Sequence, residues 1–121
     1  MSATNLQNFS GDVQIRGTTF IKANTNTNNL AIGTDAGETA QGNNTVAVGK
    51  GAGATSQGAQ GVAVGYLTGN SEQGSVAVAV GNQAGKTSQG TYAVAVGSAA
   101  GLTEQGNNAV AVGRLAGTSA Q

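Results

Sequence analysis

The chain has 121 residues, of which five are basic and five acidic, and it contains no His and no Cys. That balance leaves no electrostatic footprint for nucleic acid or an anionic membrane, and the missing His and Cys exclude disulfides, thiol chemistry and the usual zinc sites. With 21 Gly, no Pro and only four aromatics (Phe9, Phe20, Tyr66 and Tyr92), Val and Ala are left to build the interior of one thin domain. Met1-Ser2-Ala3-Thr4-Asn5 shows neither the charged nor the apolar region of a signal peptide. No run approaches the roughly 18 apolar residues of a membrane span, so none is expected.

Residues 1–28 form a first unit without internal repetition. Val13-Gln14-Ile15-Arg16 and Thr19-Phe20-Ile21 read as two short strands around Gly17. The tract from Asn24 to Asn29 is a polar connector. This unit carries both Phe residues and is expected either to cap the strand edge that follows or to attach the protein to a larger assembly.

Residues 29–121 repeat every 16 residues. The Gly closing each Val-Ala-Val-Gly unit, taken as position 1, falls at Gly33, Gly49, Gly65, Gly81, Gly97 and Gly113. A fixed period of this length is the mark of a solenoid. Position 4 is Ala except for Thr68, position 5 is always Gly, position 7 is Thr or Ser, position 9 is Gln, and position 10 is Gly. The glycines at 1, 5 and 10 are expected at corners, where positive φ is needed. Two short strands per turn are expected between them, over about positions 6–9 and 13–16, paired in parallel about 4.8 Å apart. Alternation puts the two β-branched residues of Val-Ala-Val on one face and the Ala on the other. The bulky residues are assigned to the interior, with Thr and Gln of positions 7 and 9, the Gln stacked in ladders. The outer face would then carry a stripe of Ala47, Ala63, Ala79, Ala95 and Ala111. Such a thin coil buries little apolar surface per turn against the entropy of ordering its backbone. Close approach of copies along the Ala stripe is therefore the expected interface, in a homotrimer.

Candidate chemistry is sparse. Gly81-Asn82-Gln83-Ala84-Gly85-Lys86-Thr87 resembles a phosphate loop, but three residues separate its glycines where four are needed, and the other repeats share that spacing without Lys-Thr. Glu72 and Glu104 share one column two turns apart, a separation of about 9–10 Å that is near that of an inverting glycosidase. With nothing to raise a pKa they read as solvated surface charge. The Thr/Ser column suggests an ice-binding rank, weakened by being single and assigned inward. Calcium-binding repeats need Asp in register, and none is present. No catalytic, cofactor or metal residue is expected.

Leu30-Ala31-Ile32-Gly33, Val46-Ala47-Val48-Gly49 and their four successors resemble the head repeats of trimeric autotransporter adhesins, the YadA-like heads, and similar repeats in fibres and surface proteins of phages and large viruses. The resemblance covers residues 29–121. It implies an all-β, left-handed parallel β-roll (a β-solenoid with 16-residue turns), assembled as a homotrimer, with a role in adhesion or as a projection.

The expected function is therefore that of a non-enzymatic virion surface protein, either a fibre head or a capsid decoration. The alternative is the head of a bacterial adhesin on the cell surface, and an ice-binding solenoid is weaker still. Starting at its own Met1 with a non-repeat segment favours the virion. Expected partners are further copies, other virion or cell-surface proteins, and a host glycan or receptor. Tyr66 and Tyr92, in variable columns, are the candidate contact residues. Phe9 and Phe20 are the candidates for docking onto the particle.

Overall fold

A computed structural model describes residues 13–16, 18–24 and 27–120. Its strands are β1 (Val13–Ile15), β2 (Thr18–Asn24), β3 (Asn29–Ile32), β4 (Val46–Val48), β5 (Thr55–Gln57), β6 (Val62–Val64), β7 (Ser71–Gln73), β8 (Val78–Val80), β9 (Thr87–Gln89), β10 (Val94–Val96) and β11 (Val110–Val112). The described chain is all-β and winds as a β-solenoid of about five turns with 16-residue spacing.

Two sheets run along the coil. The larger has the order β1-β2-β3-β4-β6-β8-β10-β11, and the smaller β5-β7-β9. Repeats pair in parallel with like residues in register: Val46 on Val62, Ala47 on Ala63, and Val94 on Val110. Outside the strands the turns are stitched together by backbone bonds of two recurring kinds. Gly53 N–H donates to Thr68 O and Gly69 N–H to Ala84 O, whereas Gly65 N–H donates back to Val48 O and Gly81 N–H to Val64 O. The period is thus fixed by backbone bonding all around the turn, including the corners.

The first unit joins the larger sheet with opposite polarity. β1 and β2 are antiparallel, and β2 lies antiparallel against β3, from Ile21 on Ile32 to Asn24 on Asn29. β2 therefore occupies the edge that β3 would otherwise leave open, which is how natural sheets blunt a free edge. Phe20 lies within β2. Phe9 lies outside the described residues.

The coil is packed the other way round from the expectation above. The alanines of the Val-Ala-Val strands point inward: Ala47, Ala63, Ala79, Ala95 and Ala111 are all buried, Ala79 completely. The flanking valines of β4, β6, β8 and β10 are half-buried on the outside, and those of β11 are exposed. The alternation was legible, but its sign is reversed. The reason is the width of the lumen. Facing Ala31 across the coil is Gly37, whose missing Cβ would lie 3.0 Å from the Ala31 Cβ, and a Cβ on Gly101 would lie 3.2 Å from that of Ala95. Two walls this close admit Ala against Gly and nothing branched. The interior is accordingly made of Ala31, Ala36, Ala47, Ala52 and Ala63 in one cluster and Ala79, Ala84, Ala95, Ala100 and Ala111 in another. Between them lies Thr68, buried in the alanine column, with its hydroxyl donating to Gly81 O. The five strand alanines are thus no interface between chains, since each is enclosed by its own coil.

The segment at positions 7–9 also departs from simple alternation. Gln57, Gln73, Gln89 and Gln105 are buried as expected, but Thr39, Thr55 and Thr87 are exposed, with Ser71 and Thr103 half-buried. The residue between each hydroxyl and its Gln has positive φ: Ser56 at 56°, Glu72 at 56° and Ser88 at 53°. A left-handed residue bends the chain there, so that Thr and its neighbour both face out while Gln turns in. Of the three glycine columns, positions 1 and 5 do have positive φ, for example 130° at Gly81 and 51° at Gly85. Position 10 has another cause: a Cβ on Gly90 would come within 2.5 Å of the Gly106 carbonyl carbon in the next turn.

Candidate functional site

The most ordered polar feature is internal. Gln73 Nε2 donates to Gln89 Oε1 at 3.1 Å, and Gln89 Nε2 to Gln105 Oε1 at 3.2 Å. Each amide also donates to the strand across the lumen, Gln73 to Val62 O, Gln89 to Val78 O and Gln105 to Val94 O, at 2.8–2.9 Å. These bonds satisfy the three amide N–H groups and the oxygens of Gln89 and Gln105, while Gln73 Oε1 at the end of the ladder has no partner; a buried amide left unbonded costs on the order of 2–7 kcal/mol. The ladder ties adjacent turns and opposite walls together. It is structural, since its amides are enclosed.

The outer surface offers three distinct strips. The first is the outer face of the larger sheet. It carries two aliphatic columns, from Leu30 and Ile32 through the paired valines to Val110 and Val112, with no charged or polar residue in either. The second is the column Thr39, Thr55, Ser71, Thr87 and Thr103, paired in parallel from turn to turn. Beside it Glu72 and Glu104 are exposed, and the Ser88 hydroxyl between them donates to Glu72 Oε2 at 3.0 Å. The third comprises the two margins of the valine face. Because the strands are parallel, their first residues line one margin and their last residues the other. Tyr92, two residues before β10, stands on the leading margin, and Tyr66, two residues after β6, on the trailing one. Both are exposed, Tyr66 by 46% and Tyr92 by 59%. The structure thus leaves both sequence-predicted tyrosines free in one protomer, on opposite sides of the same face.

What sequence reasoning missed is the valine face itself. Its signal was present: Ala is invariant through six repeats at the middle of the strand, whereas the flanking positions accept Leu, Ile and Val. A column that tolerates only the smallest side chain marks the tightest place, which is the lumen. Among the described residues no helix is long and apolar enough to cross a membrane, and no three acidic side chains gather as metal ligands. Compared with known proteins, the chain matches no family model, no curated protein and no solved structure.

Proposed function

We propose that this chain is a non-enzymatic structural or adhesive protein of a virion surface, a fibre head or capsid decoration, working as a homotrimer of left-handed β-rolls. The observation that carries the reading is the unbroken aliphatic face of the larger sheet. A row of half-exposed valines along a whole rod is a contiguous apolar surface of the kind that marks an interaction site. The other surface columns are mainly small or polar, broken by exposed Tyr66, Val76, Tyr92 and Leu115.

A second copy is the occupant favoured by periodicity. The face has a rib about every 4.8 Å, and a copy in register has ribs and grooves at the same spacing. Small ring symmetries close such contacts without leaving a sticky surface, and the resemblance to trimeric heads favours three. Residues 1–28 then serve attachment to the particle. Native mass measurement tests the assembly: three chains support it, and a stable monomer at micromolar concentration contradicts it. Localisation on purified particles, with and without residues 1–28, tests the virion role. A full-length protein absent from particles contradicts it.

The Thr/Ser column gives one further reading specific support, because Thr39, Thr55 and Thr87 of this rank are exposed. Ice binding would show as thermal hysteresis, and its absence removes that reading.

A further inference from the structure

We infer that Tyr66 of one copy and Val76 and Tyr92 of the next form the lateral seam between protomers, so that these tyrosines meet a second copy of the chain and not a receptor. This rests on the homotrimer reading above.

The first argument is position. Tyr92 and Val76 occupy position 12, on the leading margin of the valine face, and Tyr66 occupies position 2, on the trailing margin. In a closed ring each copy turns its trailing margin to the leading margin of its neighbour. The rungs are adjacent, with an offset. Tyr66 follows β6, Val76 precedes β8 and Tyr92 precedes β10, which are successive neighbours in the sheet. In a ring with all copies at one height the leading-margin residue level with Tyr66 is Gln60, and Val76 and Tyr92 make an apolar step that begins one rung on, about 5–10 Å along the axis.

The second argument is backbone conformation. Every residue at position 12 is left-handed, and four of the six are the amides expected to tolerate it or their homologue: Asn28, Asn44, Gln60 and Asn108. Val76 (φ 58°) and Tyr92 (φ 60°) are the exceptions. Val76 is also the single β-branched residue with positive φ among the described residues, a true outlier conformation for such a side chain. Both are nevertheless exposed in one protomer, Val76 by 37% and Tyr92 by 59%. The protomer's own packing covers Tyr92 by less than half and leaves over a third of Val76 open, so the remaining compensating burial lies outside it.

The third argument is area. Six strands of three residues give a valine band about 24 Å long and about 10 Å wide. That footprint is well below the roughly 800 Å² per partner of a stable interface. The contact must extend beyond the strand margins, where the exposed large apolar groups are these three and Leu115.

The test uses the full chain, which has two Tyr and no Trp, so ultraviolet emission reports only these residues. Acrylamide quenching of the native assembly, compared with N-acetyl-tyrosinamide, is expected to be several-fold weaker. The paired change Val76→Asn with Tyr92→Asn restores the column's usual residue. It is expected to raise the concentration at which the trimer dissociates by about tenfold or more, without lowering the thermal stability of the dissociated protomer. Quenching as strong as in the free compound, or a trimer indifferent to the paired change, overturns the seam and leaves the trimer standing. A monomeric wild type removes the trimer and the seam with it.

Discussion

The two strand-like segments of each turn obey different rules, though both read as alternating in the sequence. Val-Ala-Val is a true extended strand: Val78, Ala79 and Val80 alternate half-buried, buried, half-buried. Thr-Ser-Gln is a paired but bent strand: Thr87 faces out, Ser88 is left-handed, and Gln89 turns in. Period-two reasoning therefore holds in the first and fails in the second. The comparison teaches that in a coil this thin, size decides what enters the lumen. Ala enters from one wall and a hydrogen-bonded Gln from the other, while the more hydrophobic Val stays outside.

The sharpest way to break that contrast is to enlarge a lumen residue. Ala79→Leu should cost about 3 kcal/mol or more, seen as loss of cooperative melting. Val80→Ala, one residue away, should leave the protomer's fold intact and weaken self-association. Were Val the core residue, the order of the two effects would be reversed. Gly81→Val comes next. Gly81 has φ 130°, and its Cβ would lie 2.7 Å from Gly97 O, a backbone atom that cannot swing away. A loss of about 2–3 kcal/mol is expected in chemical denaturation, and an unchanged midpoint would show that the corner tolerates a side chain.

Gln89→Leu separates the bent strand from a generic apolar lining. It removes the Gln89 bond to Val78 O and the ladder bond from Gln73, whose amide keeps Val62 O, and a loss of about 1–3 kcal/mol is expected. A stabilised variant would mean that the ladder is dispensable. The smallest effect is expected at the outward hydroxyls. Thr87 is exposed, so Thr87→Lys should shift stability by no more than about 0.5 kcal/mol. Collapse of the fold would place that side chain inside.

Much of the architecture was legible because repetition is explicit. The 16-residue period, the parallel register, the two Gly corners at positions 1 and 5, the buried Gln column and the two strands before the repeat could all be read from residue types and spacing. The inside and outside of Val-Ala-Val could not be read from hydrophobicity, because the usual association of bulk with burial presumes a core wide enough for bulk. Gly85, opposite the strand and pressed against Gln89, is the residue that sets this width, and its effect shows only once the coil is closed. The left-handed residue at position 8 was hidden for a different reason. Ser56, Glu72, Ser88 and Glu104 have no shared chemistry that announces a bend. There the conformation is imposed by closure of the turn and by the inter-turn bonds of its neighbours, such as Ser56 N–H to Thr39 O.

The central claim is that small residues line the coil and branched ones face the neighbouring copy. Since the chain has no Cys, single cysteines placed at Ala79 and at Val80 test it directly, with a short bismaleimide added to each native protein and the products separated under denaturing conditions. The account predicts covalent linkage between chains for Val80→Cys and unmodified single chains for Ala79→Cys. Linkage through Ala79→Cys, with Val80→Cys protected, would contradict it.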